Sequence, residues 1–215
     1  MEIFIVIVLF IASVFAFMKF APVFGGRPDA KSQKLIEASP NFNGKVFINL
    51  EPTIDMVKKS PQASMLNYVP QALFPPKGKL PKRPLPNLKF DANALKNGEF
   101  VWLGHVSLIC KLDGKTIITD PVLHRAFPLP LGGKPFTYEH AITASDYPEV
   151  IDIALISHDH YDHLDHKTIL ELKDRIAKFL VPLGIKAHLV KWGVDEGKIY
   201  EFDWFNEQRI GNLNF

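Results

Sequence analysis

One feature of the sequence restricts the possible folds most strongly. It is a run of apolar residues followed directly by a cluster of histidines and aspartates. Residues 150–156 (VIDIALI) are apolar on nearly both faces, as a strand covered on two sides requires. The segment SHDHYDHLDH follows at once. Beyond it, Asp165 is a suitable N-cap for a helix whose apolar residues recur every three or four positions: Ile169, Leu172, Ile176 and Leu180. The cluster is therefore predicted to form a loop between a buried strand and an amphipathic helix.

The segments around this cluster define the fold class. Residues 99–112 (EFVWLGHVSLICKL) and 115–120 (KTIITD) are rich in β-branched and aromatic residues, and Asp113-Gly114 between them predicts a tight hairpin turn. A second helix is predicted over 186–192, and KIYEFDW and LNF near the end are predicted strands. Strand, helix and strand after a hairpin indicate an α/β, or layered α+β, fold.

Composition excludes some classes of protein. At 215 residues and 47% hydrophobic content the chain can bury one sizeable core. A net charge of +2 from 25 basic and 23 acidic residues argues against a nucleic-acid partner. The single cysteine, Cys110, excludes an internal disulfide.

The amino terminus predicts a membrane localisation. Residues 3–18 are apolar apart from one serine, and the positive charges follow this run rather than precede it. Residues 1–24 are therefore predicted to be a single-pass N-terminal membrane anchor, with the remaining chain on the cytoplasmic side. Two alternatives stay open: a signal peptide cut after Ala16, which would make the protein periplasmic or secreted, and a buried amino-terminal helix.

The next predicted region is an arm, residues 25–98, rich in proline and lysine. Its segment 75–89 (PPKGKLPKRPLPNLK) has five basic residues and no acidic one, and its prolines forbid a regular helix. The segment is interpreted either as a solvated loop around the domain or as a basic strip that contacts anionic lipid. Residues 99–215 form the third predicted region, the domain with the histidine cluster.

The cluster contains the pattern H-x-H-x-D-H, made by His158, His160, Asp162 and His163. Two histidines two positions apart on an extended loop can address one ion, and the adjacent Asp-His pair can address a second. Imidazole and carboxylate ligands suit zinc, with manganese and iron as alternatives. Two ions about 3.5 to 4 Å apart generate a hydroxide for hydrolysis at neutral pH. The competing interpretation is a histidine-rich surface turn, and His166 lies beyond the pattern.

Four segments resemble the metallo-β-lactamase fold superfamily: WLGHVSLICKLDGKTIITDPVL, SHDHYDHLD, VPLGI and YEFDWF. Within it they look most like the branch containing N-acyl-phosphatidylethanolamine-hydrolysing phospholipase D and its bacterial relatives. The resemblance implies an αββα sandwich with His158 and His160 on a first zinc ion, and Asp162 and His163 on a second. Asp162 is the predicted catalytic residue. Asp120 and His105 would contact these ligands and orient them without binding the metal themselves. Asp120 is equally explained as a strand end, and His105 as a structural histidine.

The same resemblance implies three more ligands from later in the fold: a histidine, a bridging aspartate and a last histidine. After His166 the sequence has only His188, which lies in a predicted helix. The sandwich is therefore expected to be incomplete, as in a truncated product. The predicted function is metal-dependent hydrolysis of a small-molecule or lipid phosphodiester or ester, phospholipase D-like on N-acyl phospholipids. The alternative is an inactive remnant or a membrane-associated binding module.

Overall fold

The computed structural model describes residues 2–51, 74, 76–128 and 133–215. Much of the predicted arm, at 52–73 and 75, lies outside the described residues, and the boundaries of the three regions stay predictions. The described residues contain four α-helices: α1 (Glu2–Phe20), α2 (Ala30–Ala38), α3 (His166–Leu172) and α4 (Lys186–Lys191).

A six-stranded mixed sheet forms the centre of the molecule. Its strands follow one another in chain order: β1 (Phe100–Gly104), β2 (Ser107–Leu112), β3 (Lys115–Thr119), β4 (Ile151–Leu155), β5 (Ile176–Pro182) and β6 (Ile199–Phe202). The first three strands are antiparallel, and β3 to β6 are parallel. A separate hairpin pairs β7 (Arg209–Ile210) with β8 (Leu213–Asn214). The predicted mixed α/β fold class is confirmed.

Two turns near the start of the sheet have left-handed backbone. Asp113 and Gly114 have φ values of 46° and 72°, so the predicted tight hairpin between β2 and β3 is confirmed. The sequence pattern did not reveal a second turn, at Gly104 and His105, where φ is 107° and 47°. Residues 99–112 consequently form two antiparallel strands, and the turn places His105 at the sheet edge where β3 and β4 end.

The helix predicted after the cluster is shorter than its apolar pattern indicated. Asp165 caps α3 by accepting a hydrogen bond from the backbone N–H of Lys167, as predicted, but the helix ends at Leu172. Ile176 and Leu180 belong instead to β5, where both are buried. An apolar residue every three or four positions fits a strand buried on both faces as well as a helix, so the pattern continues across the boundary.

The two faces of the sheet are covered differently. On one face, Ile118, Ala154 and Phe179 pack with Ile169 of α3 and Leu189 of α4 in the larger apolar core. The other face has a smaller cluster of buried residues, Ile117, Ile153 and Leu180, against which the β7–β8 hairpin packs through Ile210, Leu213 and Phe215. The layers are thus helices, a six-stranded sheet and a two-stranded sheet.

The predicted membrane anchor is wrong. Across the part of the chain that the structure describes, no helix combines the length and apolar content that a bilayer crossing requires. The uncharged run 3–18 in α1 has 16 residues, which at 1.5 Å each rise only about 24 Å, less than the roughly 30 Å of a hydrocarbon core. The membrane localisation deduced from that anchor is corrected with it.

Candidate metal centre

The candidate site lies at the edge where the parallel strands β3 and β4 end. Asp120, directly after β3, donates its backbone N–H to the carbonyl oxygen of Leu155 at the end of β4, with N and O 2.9 Å apart. The histidine loop therefore starts beside Asp120, and the β1–β2 turn lies at the same edge. The structure brings together at this edge all six residues that the sequence singled out: His105, Asp120, His158, His160, Asp162 and His163.

The three histidines of the H-x-H-x-D-H pattern have closely packed rings. The ring centroids of His158 and His160 are 4.5 Å apart, and those of His158 and His163 are 3.8 Å apart. The loop turns back because the backbone N–H groups of His163 and Leu164 both donate to the carbonyl oxygen of His160, at 2.9 and 2.8 Å. Leu164 is buried in the core and anchors the end of this turn.

Asp120 holds the start of the loop through its buried carboxylate. Its Oδ1 accepts the backbone N–H of Ser157 at 2.7 Å, and its Oδ2 accepts the Ser157 hydroxyl at 2.7 Å. The same Oδ2 lies 2.9 Å from Nδ1 of His163, which leaves Nε2 of that ring for a ligand. These contacts give Asp120 the geometry of a residue that orients a metal ligand.

His105 approaches the cluster from the β1–β2 turn. Its Nε2 is 3.1 Å from Oδ2 of Asp162, and its ring meets that of His163 edge to face with the centroids 5.4 Å apart. His105, Asp162 and His163 can each offer one ligand atom such that all three atoms lie within 4.8 Å of one another. Two imidazoles and a carboxylate are a donor set that fits a first-row divalent metal. The geometry is therefore that of a possible His/Asp metal site.

Burial and neighbouring charge favour the neutral imidazole that metal binding needs. The pKa of His158 lies below its ordinary value of 6.5, first because the ring is desolvated and then because His163 and His160 are close to it. Ligation requires an unprotonated ring nitrogen, so this environment favours the ligand form of His158.

His188 is a functional candidate that the sequence pattern did not favour. It lies on α4, accepts the backbone N–H of Gly26 at Nδ1 (3.0 Å), and places Nε2 3.7 Å from Oδ2 of Asp159. This neighbour is the main reason that the pKa of Asp159 is below its ordinary value. With His160 and Asp162, His188 lines a cavity of about 350 Å³. The sequence predicted that His188 lies on a helix. It did not predict that the helix brings His188 close to the cluster.

A larger groove of about 640 Å³ reaches the other side of the cluster at Asp120, Ser157 and His158. Apolar and aromatic side chains from the arm, the sheet and the last residues of the chain form much of its wall: Phe47, Leu155, Leu180, Val181, Phe202, Trp204 and Phe215. The loop residues thus line two cavities: a smaller one of mixed polar and apolar character, and a larger groove with mainly apolar walls.

The fold and the site together define a class: an α/β protein whose sheet has helices on one face and a histidine and aspartate cluster at the carboxyl ends of parallel strands. Residues 115–215 match the model of the beta-lactamase superfamily domain. This match confirms the resemblance to the superfamily that the motifs predicted.

Several known proteins are similar to the chain. An uncharacterised protein of Mycobacterium tuberculosis is 32% identical over 195 residues, which are 87% of this chain and 51% of the relative. N-acyl-phosphatidylethanolamine-hydrolyzing phospholipase D 1 of Caenorhabditis elegans is 34% identical over 129 residues, 56% of this chain and 36% of that protein. A metal-dependent hydrolase of Hyperthermus butylicus is 32% identical over 79 residues, 37% of this chain and 29% of that protein. The chain spans about half the length of the mycobacterial relative.

Among solved structures, CmlA, a diiron β-hydroxylase from Streptomyces venezuelae, aligns with a TM-score of 0.42 and 29% identity. The alignment covers 53% of this chain and 22% of CmlA.

Proposed function

We propose that the chain provides the metal-binding loop of a metal-dependent hydrolase that acts on an ester or phosphodiester. The observation that carries this proposal is the convergence of His158, His160, Asp162 and His163 at one sheet edge, beside the buried carboxylate of Asp120. Similarity to a metal-dependent hydrolase and to a phospholipase D supports the same class of reaction.

Each side chain has a proposed role. His158 and His160 would hold one ion, and Asp162 and His163 a second, with zinc as the metal that suits imidazole and carboxylate ligands. When bound, such ions supply a hydroxide nucleophile and polarise the bond that is cleaved. Asp120 fixes the ring of His163 through Nδ1, and His105 holds Oδ2 of Asp162 so that the other carboxylate oxygen can turn to the metal. Asp162 is the proposed catalytic residue because, as a ligand of the second ion, it would lie beside the bond that is cleaved.

The proposed substrate has an apolar portion. His158 and Asp120 line the groove of about 640 Å³, whose other walls are largely apolar, so an apolar group can lie there while its ester or phosphodiester reaches the cluster. Similarity to the Caenorhabditis elegans phospholipase D makes an N-acyl phospholipid the first substrate to test.

Metal content and hydrolysis, measured together, test the proposal. The purified chain is expected to retain zinc after dialysis, and His158→Ala and Asp162→Ala are expected to lose it. His124→Ala is the matched control because His124 pairs with Glu171 (Nε2 to Oε2, 2.9 Å) outside the ligand loop. Zinc-dependent hydrolysis of a nitrophenyl phosphodiester or ester supports the enzyme. Zinc without hydrolysis supports the binding-module alternative, and a parent chain without zinc contradicts the proposal.

A further inference from the structure

The hydroxyl of Ser157 lies at the junction between one carboxylate and two histidine rings. Its Oγ is 2.7 Å from Oδ2 of Asp120, 3.0 Å from Nδ1 of His158 and 3.0 Å from Nδ1 of His163. We propose that Ser157 is a positioning residue: it relays the orientation imposed by Asp120 to His158, so that His158 and His163 both present Nε2 to the metal site. This inference rests on the proposed function for the identity of the metal ligands.

The contact with Asp120 determines which ring nitrogen of His163 carries the proton. An ionised carboxylate only accepts hydrogen bonds. Two groups approach Oδ2 of Asp120, the Ser157 hydroxyl at 2.7 Å and Nδ1 of His163 at 2.9 Å, so both must donate to it. A lone pair on Nδ1 of His163 would face the negative oxygen. The ring therefore has its proton on Nδ1 and its lone pair on Nε2.

The direction of the Ser157 hydroxyl hydrogen determines which ring nitrogen of His158 carries the proton. A serine hydroxyl has one hydrogen to donate and two lone pairs, and Asp120 uses the hydrogen. The Oγ of Ser157 can then only accept from Nδ1 of His158, 3.0 Å away. The reverse arrangement would set a serine lone pair against Oδ2 of Asp120 at 2.7 Å, where the two oxygens would repel each other. His158 thus also has its proton on Nδ1 and its lone pair on Nε2.

The backbone makes this relay rigid. Ser157 donates its N–H to Oδ1 of Asp120 at 2.7 Å while its hydroxyl donates to Oδ2, so the two residues form a two-point clamp. Asp120 is buried, which favours keeping both of these bonds because buried polar groups need partners. One carboxylate thereby sets the tautomers of two rings, one directly and one through the serine.

Ring-nitrogen NMR of the metal-free chain tests the relay without any metal. The spectra are recorded about two pH units above the ordinary histidine pKa of about 6.5, where a free imidazole is neutral. The wild-type chain is expected to have Nδ1–H on both His158 and His163. In Ser157→Ala, His158 should shift toward the Nε2–H form that free imidazole prefers, while His163 keeps Nδ1–H. Asp120→Asn should shift both rings, and Ser157→Thr should restore the wild-type pattern.

A matched control removes another hydrogen bond from a serine hydroxyl to a carboxylate, away from the histidine cluster. Ser32 donates its hydroxyl to Oε2 of Glu201 at 2.6 Å, far along the chain from the cluster, so Ser32→Ala should leave both tautomers unchanged. An Nε2–H tautomer on wild-type His158 would overturn the proposal, and so would an unchanged His158 in Ser157→Ala.

The zinc affinity of the same variants tests whether the relay affects metal binding. The affinity is expected to fall roughly 10- to 100-fold in Ser157→Ala, the usual effect of losing a group that orients a ligand, and to recover in Ser157→Thr. An unchanged affinity despite a changed tautomer would overturn the positioning role. If no variant binds zinc, the proposed function fails while the NMR pattern still decides whether the relay exists.

Discussion

At the scale of single residues, burial determines how side chains ionise in this fold. Tyr147 is 2% exposed and packs edge to face against Phe90, with ring centroids 6.3 Å apart. Burial raises the pKa of its phenol well above the ordinary value of 10.0, because the phenolate loses its hydration; the charge of Asp146 adds a smaller effect in the same direction. Tyr147 therefore stays protonated in the folded chain at pH values where the unfolded chain releases the proton.

This difference predicts a loss of stability in alkali. A raised folded pKa gives stability that is fully present below the unfolded pKa of 10.0 and is lost as pH rises above it. The free energy of unfolding of wild type relative to Tyr147→Phe should fall by about 1.4 kcal/mol for each pH unit above 10. Urea titrations from neutral pH upward measure it. The difference should be constant below pH 10, and a constant difference above it would contradict the prediction.

At the scale of elements, the segment between α1 and α2 is fastened to α4 by backbone groups. The indole N–H of Trp192 donates to the Pro22 carbonyl at 2.7 Å, and the ammonium of Lys191 donates to the Gly25 carbonyl at 2.6 Å. Gly26 adds its N–H bond to His188. Such close approach needs glycine, because a Cβ on Gly25 would lie 1.8 Å from Nδ1 of His188.

Gly25→Ala should release this segment from α4. The substitution places a methyl group against the His188 ring and also strains a φ of +68°. Trypsin cleavage at Lys19 and Lys31, on either side of the segment, should become faster. Gly44→Ala is the matched control, because Gly44 has a φ of +90° but no atom within 4 Å of its added Cβ. Equal cleavage rates at Lys19 and Lys31 in the two variants would contradict the prediction.

Local sequence patterns predicted which helices, strands and turns form. They predicted less well where these elements end and which distant residues come into contact. Asp113-Gly114 and the Asp165 cap are local signals, and both were found. The turn at His105 has no such signal apart from Gly104, and the docking of Gly26 on His188 joins residues 162 positions apart. The candidate ligand residues could be predicted because they lie close together in the sequence. The clamp between Asp120 and Ser157 depends on the pairing of β3 with β4, which a single sequence does not display.

At the scale of the whole molecule, most of the buried apolar core lies on the helical face of the sheet. Phe179 is fully buried in the larger core, between the sheet and the helices. Leu213, from the two-stranded hairpin, is only partly buried against the smaller cluster. The two faces should therefore differ in how much they contribute to the free energy of unfolding.

Alanine substitution on each face measures that difference. Phe179→Ala should lower the free energy of unfolding by about 3 to 5 kcal/mol, because it leaves a cavity in a close-packed core. Leu213→Ala should cost about 1 to 2 kcal/mol, because fewer contacts are lost. Urea denaturation of both variants gives the values. Similar losses in the two variants would show that the hairpin face contributes as much as the helical face.

The order of the six strands also has a consequence for how the chain is made. Each strand of the sheet pairs with the strand before it in the sequence, so every new strand that leaves the ribosome finds its neighbour already present. The sheet can grow one strand at a time, with no edge waiting for a distant segment. The exception is the segment between α1 and α2, which precedes all six strands in the sequence but cannot dock until α4 has emerged. This segment thus waits until five of the six strands have been made.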